Sequence, residues 1–429
     1  MLYNLLPTTL QLFLTSLLWH HPTPSSTPTT LQFQLRHQHA LSNTSRVVFS
    51  DTKPDLAFTM NELSLRTAKT TVHKPASQAL LRSARLRGAH IPWEPTEVYG
   101  PDVQDRETLL LLAKMANNAY TEPDKSDWYD IGPYWNVTYP FGWEPDADGF
   151  RGHIFATPDN STVIISVKGT SIMWPIGGGG PTQSKDKLND NLLFSCCCAR
   201  ISSTWSTVCD CYDGEKRCDQ GCLEQSLIEE SLFYSVGINL YNNVTYMYPQ
   251  SDIWLIGHSL GGALSSLVGL TFGVPVVAFE APAERLASAR LHLPSPTQSV
   301  CLALQPSTQH VTHVYNTGDP IPMGTCTGFG SSCNAVGVAL ETRCHLGQTI
   351  KYDTITQLGW SANVIHHGIE AVIDGVLARQ DIDWAGTGIK GSVPTPAPET
   401  DCVDCYDWTF GDFKNASGTR AVGCGRRRF

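Results

Sequence analysis

Apolar positions along this chain come in two rhythms. Short apolar-rich runs read as strands: Thr162–Val167 (TVIISV), which looks buried on both faces, Ile253–Ile256 (IWLI), Val274–Phe279 and Val311–Tyr315. Between and around them lie segments with helical spacing: Asp105–Tyr120, with an acidic first turn, Leu260–Leu270 and Asn363–Leu377. Strands alternating with helices predict a mainly parallel central sheet flanked by helices, an α/β domain. From Ile253 to Phe279 the only ionisable side chain is His258, so a hydropathy window alone would read a membrane helix there. Gly257, Gly261, Gly262, Gly273 and Pro275 instead break the run into strand, turn, helix and strand.

The two ends lack this rhythm. Residues 2–19 are apolar, densest from Leu10 to Trp19. That is the length of a signal h-region rather than of a membrane span, which needs about 20 residues. No Lys or Arg precedes the segment, and no small-x-small cleavage site follows it. Residues 1–19 are therefore expected to be a secretory signal, cleaved or kept as a short anchor. Residues 20–90, rich in Pro, Thr, Ser and His, read as a low-complexity stalk, and 91–384 as the globular body. Residues 385–429 turn Pro-, Gly- and Cys-rich and read as a tail.

Composition removes several classes. Among 429 residues only 16 % are charged and 41 % are hydrophobic, which excludes a disordered acidic chain and a coiled coil. The net charge of −10 is uneven: residues 1–100 carry +4 and the rest −14. An acidic body is a poor nucleic-acid binder. The basic leader could touch anionic lipid, but a solvated linker is the better reading. Fourteen cysteines, seven of them between Cys196 and Cys222, accompany five glycosylation sequons at Asn43, Asn136, Asn160, Asn243 and Asn415. Together they point to an oxidising secretory compartment, where disulfides are expected rather than zinc. Seven is odd, so at least one of that cluster pairs outside it, with Cys301 or a C-terminal cysteine as candidates. The Cys402-x2-Cys405 pair lies in the tail, not before a helix, and does not read as a redox motif.

The densest chemical signal is Gly257-His258-Ser259-Leu260-Gly261 at the end of an apolar strand and the start of a helix. A serine nucleophile on a sharp strand-to-helix turn needs small neighbours two residues to either side. The Leu260 N–H would then sit at the helix N-terminus, able to stabilise an oxyanion. An ordinary Gly-rich turn can carry the same letters, so the strand and helix context decides the reading. In a serine hydrolase of this order an acid and then a histidine follow. The downstream acids include Glu280, Asp319, Asp353 and Asp374, and Asp319 is best placed, in the loop after Val311–Tyr315. A turn-forming Asp before proline is its bland alternative. Of the downstream histidines, the pair His366-His367 opens the Asn363–Leu377 segment. Consecutive helical residues point about 100° apart, so only one can face the serine. The apolar stripe Ile369, Val372, Ile373, Val376 leaves the choice open.

With these residues in place, the chain resembles the class III lipase family, and within it the fungal branch of membrane-anchored lipases that break down autophagic bodies in the vacuole. The resemblance runs from about His90 to Trp384 and rests on DRETLLLLAKMANNAY, GWEPDADGFRGHIFA, VIISVKGTS, the CCCARIS insert, IWLIGHSLGGALSSLVG, FEAP, HVYNTGDPIPMGTC and KYDTITQLGW. It implies an α/β hydrolase with a Cys-rich insertion. It further implies Ser259 as nucleophile, Asp319 as acid and His367 as base, with His366 one position away. Thr170 and Leu260 would form the oxyanion hole. The segment Ser171–Ile176 with Gly177–Gly180 falls where such lipases begin an apolar lid.

The implied activity is hydrolysis of acyl esters in triacylglycerol or phospholipid, with no metal or organic cofactor, a lipid membrane as partner and no nucleic acid. The oligomeric state stays open. The implied location is a type II single-pass protein of endoplasmic reticulum, Golgi and multivesicular body membranes, delivered to the vacuole lumen. There the base must stay neutral to work, so activity should fall at low pH. Two other readings compete. One is a catalytically silent hydrolase-fold glycoprotein that binds lipid, which would have lost a member of the triad. The other is a soluble esterase or peptidase on the same fold.

Overall fold

The computed structural model describes residues 30–42, 46–51, 53–54, 64–77, 91–121, 125–130, 135–136, 148–171, 183–200, 206–230, 232–293, 308–327 and 330–413. Its strands run in chain order β1 (Thr30–Gln32), β2 (Gln34–Leu41), β3 (Val47–Asp51), β4 (Lys53–Pro54), β5 (Ser64–Pro75), β6 (Trp93–Pro101), β7 (Trp135–Asn136), β8 (Asp148–Ala156), β9 (Thr162–Val167), β10 (Arg217–Asp219), β11 (Asp252–His258), β12 (Val276–Phe279), β13 (Val311–Asn316), β14 (Gln348–Tyr352) and β15 (Thr409–Gly411). Eight of them form one sheet in the order β14-β13-β12-β11-β9-β8-β2-β3. The five from β14 to β9 are mutually parallel, and β8, β2 and β3 extend the sheet antiparallel.

Unbroken apolar runs make the central strands because both faces are covered. In β11, Trp254 and Ile256 pack on one side with Leu109, Leu112, Val277 and Ile373. Ile253 and Leu255 pack on the other with Ile165, Leu264, Leu267 and Val268. The first face is covered by the helix Arg106–Asn118, which starts where Asp105 caps the Thr108 N–H at 2.9 Å. The second is covered by Leu260–Phe272, Leu232–Met247 and Gln183–Phe194. Truncating a fully buried contact such as Leu109 should cost about 2–5 kcal/mol.

Three expectations change. Residues 20–90 are not a stalk throughout: β2 and β3 join the central sheet, with His39 opposite both Phe49 and Gly152, and β5 pairs with β6. Those strands were illegible because their polar-rich letters lack a clean alternation, and pairing with β8 supplies the order. Asn363–Leu377 is not one helix. A 3-10 turn over Val364–His367 ends at Gly368, whose ψ of 135° is extended, before the α turn Ile369–Val372 and the π turn Ile373–Leu377. The tail from 385 is fastened to the body: Thr349 bridges Ala397, and β15 pairs in parallel with β10.

The disulfides complete that fastening. Within the insert, Cys197 pairs with Cys218, Cys198 with Cys209, and Cys211 with Cys222. The odd cysteine, Cys196, reaches Cys405 in the tail, while Cys344 pairs with Cys402 and Cys326 with Cys333. Bonding Cys402 and Cys405 to separate partners removes any redox role for that pair. Cys198, Cys209 and Cys211 cluster closely enough to suggest a metal, but all three are disulfide-bonded. Closing a loop as long as Cys196 to Cys405 is worth about 5 kcal/mol in the chain-entropy view.

Ile253–Phe279 forms strand, turn, helix and strand, and among the described residues no helix is long and apolar enough to cross a membrane. The apolar segment 1–19, the lid segment apart from Ser171 (172–180), Cys301 and the sequons at Asn43 and Asn415 lie outside the described residues. Of the other sequons, Asn160 sits exposed in a turn with φ of 58°, Asn243 is half-buried on a helix, and Asn136 lies in β7.

Candidate active site

The parallel strands end along one edge of the sheet, and the polar residues gather there. Ser259 follows β11 directly, with φ 56° and ψ −129°, and opens the helix Leu260–Phe272. A non-glycine residue at positive φ is strained, and here the neighbours hold it. Its N–H donates to the Phe279 carbonyl at 2.9 Å. A Cβ on Gly257 would lie 2.4 Å from the Gly261 carbonyl carbon, and one on Gly261 would lie 2.2 Å from the Val167 oxygen. The two glycines are thus required by close backbone approach, not by flexibility.

The structure brings His367, not His366, to this serine. His367 Nε2 lies 2.7 Å from Ser259 Oγ, and Nδ1 lies 2.6 Å from Asp319 Oδ2. The carboxylate can only accept, so Nδ1–H donates to it and Nε2 is left to accept the serine hydroxyl proton. Asp319 is held in turn by the Ile321 N–H at 2.9 Å. All three side chains are buried. His366 stacks on Trp360 instead, rings 4.1 Å apart, and partial burial lowers its pKa. The break at Gly368 explains why helical-face reasoning could not separate the two: they share a 3-10 turn, not the helix that follows.

A second hydrogen-bonded line runs beneath the serine. His258 Nε2–H donates to the His367 carbonyl at 2.7 Å. Burial holds the His258 pKa well below its ordinary value, so the ring is neutral and Nδ1 accepts, from the Tyr120 hydroxyl at 2.7 Å. The Tyr120 oxygen accepts from the Gly169 N–H at 3.0 Å. His367, the turn at Ser259 and the end of β9 are therefore tied together through one phenol.

Thr170, the next residue, is buried and donates its hydroxyl to Asp190 Oδ2 at 2.5 Å. Burial pushes the Asp190 carboxyl up to about 7. The expected oxyanion role of the Thr170 hydroxyl is thus qualified: in this geometry its proton points at Asp190. The Leu260 N–H heads the helix as expected, among the first-turn donors that have no intrahelical acceptor. Asp186, one turn before Asp190, pairs with Lys168 at 3.0 Å and accepts from the Ser171 N–H at 2.9 Å, with both charged side chains out of water. Sequence reasoning missed Tyr120, His258, Lys168, Asp186 and Asp190. The i,i+4 acids in SKDKLNDNLL were the one visible signal, since such a pair lies on one helix face.

A mainly parallel sheet with helices on both faces, and a strained serine between its nucleophile strand and helix, is the α/β hydrolase fold. No protein-family model matches the chain. Curated relatives do. The chain is 48 % identical over 372 residues to a protein of Cryptococcus neoformans named "Putative lipase ATG15", covering 75 % of this chain and 70 % of that one. A relative of the same name from Mycosarcoma maydis is 47 % identical over 350 residues, covering 79 % and 66 %. Among solved structures, the nonglycosylated LIP2 lipase of Yarrowia lipolytica aligns over 58 % of this chain and 81 % of its own at 16 % identity, with a TM-score of 0.29. The chain belongs to the ATG15 family.

Proposed function

We propose that this protein is a serine lipase that hydrolyses acyl esters of membrane lipids, triacylglycerol or phospholipid, and so degrades autophagic and multivesicular body membranes in the vacuole. The observation that carries the reading is the buried line from Ser259 Oγ through His367 to Asp319, at 2.7 and 2.6 Å. The names of the relatives support the substrate class.

In this mechanism His367 Nε2 takes the Ser259 proton as Oγ bonds to the ester carbonyl carbon. The carbonyl π electrons move onto oxygen, and the oxyanion is met by the N–H groups of Leu260 and Thr170. Asp319 holds the imidazole and favours its charged form. Collapse breaks the ester C–O bond, and the leaving alcohol takes the proton back from His367. Water then repeats the sequence on the acyl-serine and frees the fatty acid. Ser259, His367, Asp319 and backbone donors suffice for each step, and the reading calls for no metal or organic cofactor.

Localisation belongs to the same proposal: entry through the apolar N-terminus, a type II arrangement in endoplasmic reticulum, Golgi and multivesicular body membranes, and glycosylation in the lumen. The six disulfides among the described residues support an oxidising compartment. The test is hydrolysis of mixed phospholipid and triacylglycerol vesicles by purified full-length protein, with Ser259→Ala beside it. Fatty-acid release that depends on Ser259 supports the reading. Vesicle binding without release would favour the silent lipid-binding alternative.

A further inference from the structure

Strands β11, β12 and β13 end side by side, and each delivers polar residues to the same edge: Ser259, Glu280, and Asn316 with Asp319 beyond it. Ser259 and Glu280 take the step after the paired His258 and Phe279, and both hold left-handed backbone, at φ 56° and 45°. That region is normally left to glycine, and a glutamate kept there points to a task for its side chain.

Glu280 is completely buried. Its Oε1 accepts from Asn316 N at 3.0 Å and Asn316 Nδ2 at 2.9 Å, and its Oε2 lies 3.3 Å from the same backbone N–H. The carboxyl also meets Asp319, which already accepts from His367 and Ile321. Two carboxyl groups in contact and out of water do not both ionise. The titratable groups facing the pair are Tyr315 on β13 and His366 and His367 on the 3-10 turn, and His367 is itself faced by His258 at the end of β11 and by Asp190 on the helix Gln183–Phe194. Among the described residues no lysine or arginine forms an ion pair with either carboxyl. Asp319 has the imidazole as partner, whereas burial and the neighbouring Asp319 charge raise the Glu280 pKa well above its ordinary value.

We propose that Glu280 is a positioning residue for the hydrolysis: its carboxyl stays protonated, donates an O–H hydrogen bond to Asp319, and sets how tightly Asp319 holds a charged His367. This rests on the serine-hydrolase reading above. The proton stays between the two carboxyl groups, and the pair presents one negative charge to one imidazole. A neutral donor on Asp319 withdraws charge from it, so a protonated His367 is stabilised less.

The experiment is the pH profile of kcat/KM for p-nitrophenyl butyrate with the full-length protein, its Glu280→Gln and Glu280→Ala variants, and Ser259→Ala. Glutamine is neutral and keeps a donor, so Glu280→Gln should hold the acid limb where the parent has it. Glu280→Ala has no donor and should move that limb upward by about one pH unit. A downward move of that size in Glu280→Gln, as expected from deleting a charged carboxylate, overturns the proposal, as does an unmoved limb in a folded Glu280→Ala. If the alanine variant does not fold, the infrared difference between the parent and Glu280→Gln at neutral pH decides. A protonated-acid carbonyl stretch supports the proposal, and carboxylate bands alone overturn it. A Ser259→Ala protein as active as the parent overturns the hydrolase reading itself. Ser259-dependent turnover with the wrong Glu280 profile overturns only the role of Glu280.

Discussion

Among the described residues, two buried clusters bring serine, histidine and acid together, and they do so in a different order of contacts. Around Ser259, the hydroxyl meets an imidazole and the imidazole meets a carboxylate. Around Ser266, the hydroxyl donates to Glu284 Oε1 at 2.6 Å, and His313 meets the same oxygen at 3.1 Å. There the carboxylate sits between the other two, so the serine proton already has an acceptor that cannot act as a base toward it at neutral pH. Ser259 is held at strained positive φ after a strand, whereas Ser266 lies inside the helix Leu260–Phe272. Beside Glu284, the His345 ring lies 4.6 Å from that of His313, tilted by 50°, and pairs with Glu399 of the tail at 3.1 Å. The same residue types therefore make a hydroxyl–imidazole–carboxylate line at the sheet edge, which the proposed function uses, and a carboxylate-centred cluster elsewhere. The order of contacts, not the inventory, separates them.

The sharpest break of this comparison is Ser259→Ala set against Ser266→Ala. The first should lower turnover on an ester by about 10³–10⁶-fold. The second should leave turnover near the parent and cost about 1–3 kcal/mol of stability through the lost bond to Glu284, read by denaturant unfolding. Comparable losses of turnover in both variants would erase the distinction. Next comes the histidine pair: His367→Ala should remove at least about 10³-fold, and His366→Ala should leave most of the rate, its loss confined to the Trp360 stack. The reverse pattern would move the base by one residue.

Tyr120→Phe probes whether the line beneath the serine positions the base. It deletes the hydroxyl that joins His258 to Gly169, so kcat should fall about 10- to 100-fold with KM nearly unchanged, in steady-state kinetics. An unaltered kcat would make that line purely structural.

The smallest effect concerns the carboxylate-centred cluster and is a matter of pH. Burial alone would lower the His345 pKa, but the hydrogen bond and charge of Glu399, with Glu284 beyond, outweigh it and raise the net value. Burial would raise the Glu399 pKa, but its bonds and charge interaction with His345 dominate and bring it to about 2. The histidine contribution is full below the ordinary histidine value and lost as pH rises through the raised one. The glutamate contribution is full above the ordinary carboxyl value and lost as pH falls toward about 2. The His345–Glu399 pair is therefore strongest in mild acid, between those two ordinary values. Glu399→Gln should lower the melting temperature by a few degrees there and less at alkaline pH. A pH-independent loss would show that packing, not the ion pair, fastens the tail.

Much of this was legible in the chain. The apolar-rich runs of β9, β11 and β12 and the glycines around Ser259 carry local instructions, because a strand covered on both faces needs no alternation and a tight crossing leaves no room for a Cβ. The same reasoning placed Asp319 in a strand-end loop and demanded one disulfide from the insert to a distant cysteine. Other facts have no local signature. His366 and His367 are adjacent, and only the turn ended by Gly368 aims one of them at Ser259. The strands at residues 34–51 look like linker until β8 supplies their hydrogen-bond partners. Tyr120, His258, Asp190 and Glu280 lie far apart in sequence from the groups they hold, and a contact across such separation depends on the whole sheet being assembled. Side-chain chemistry and backbone propensity are written residue by residue. Which proton faces which acceptor is decided only when parallel strands bring their ends to a common edge.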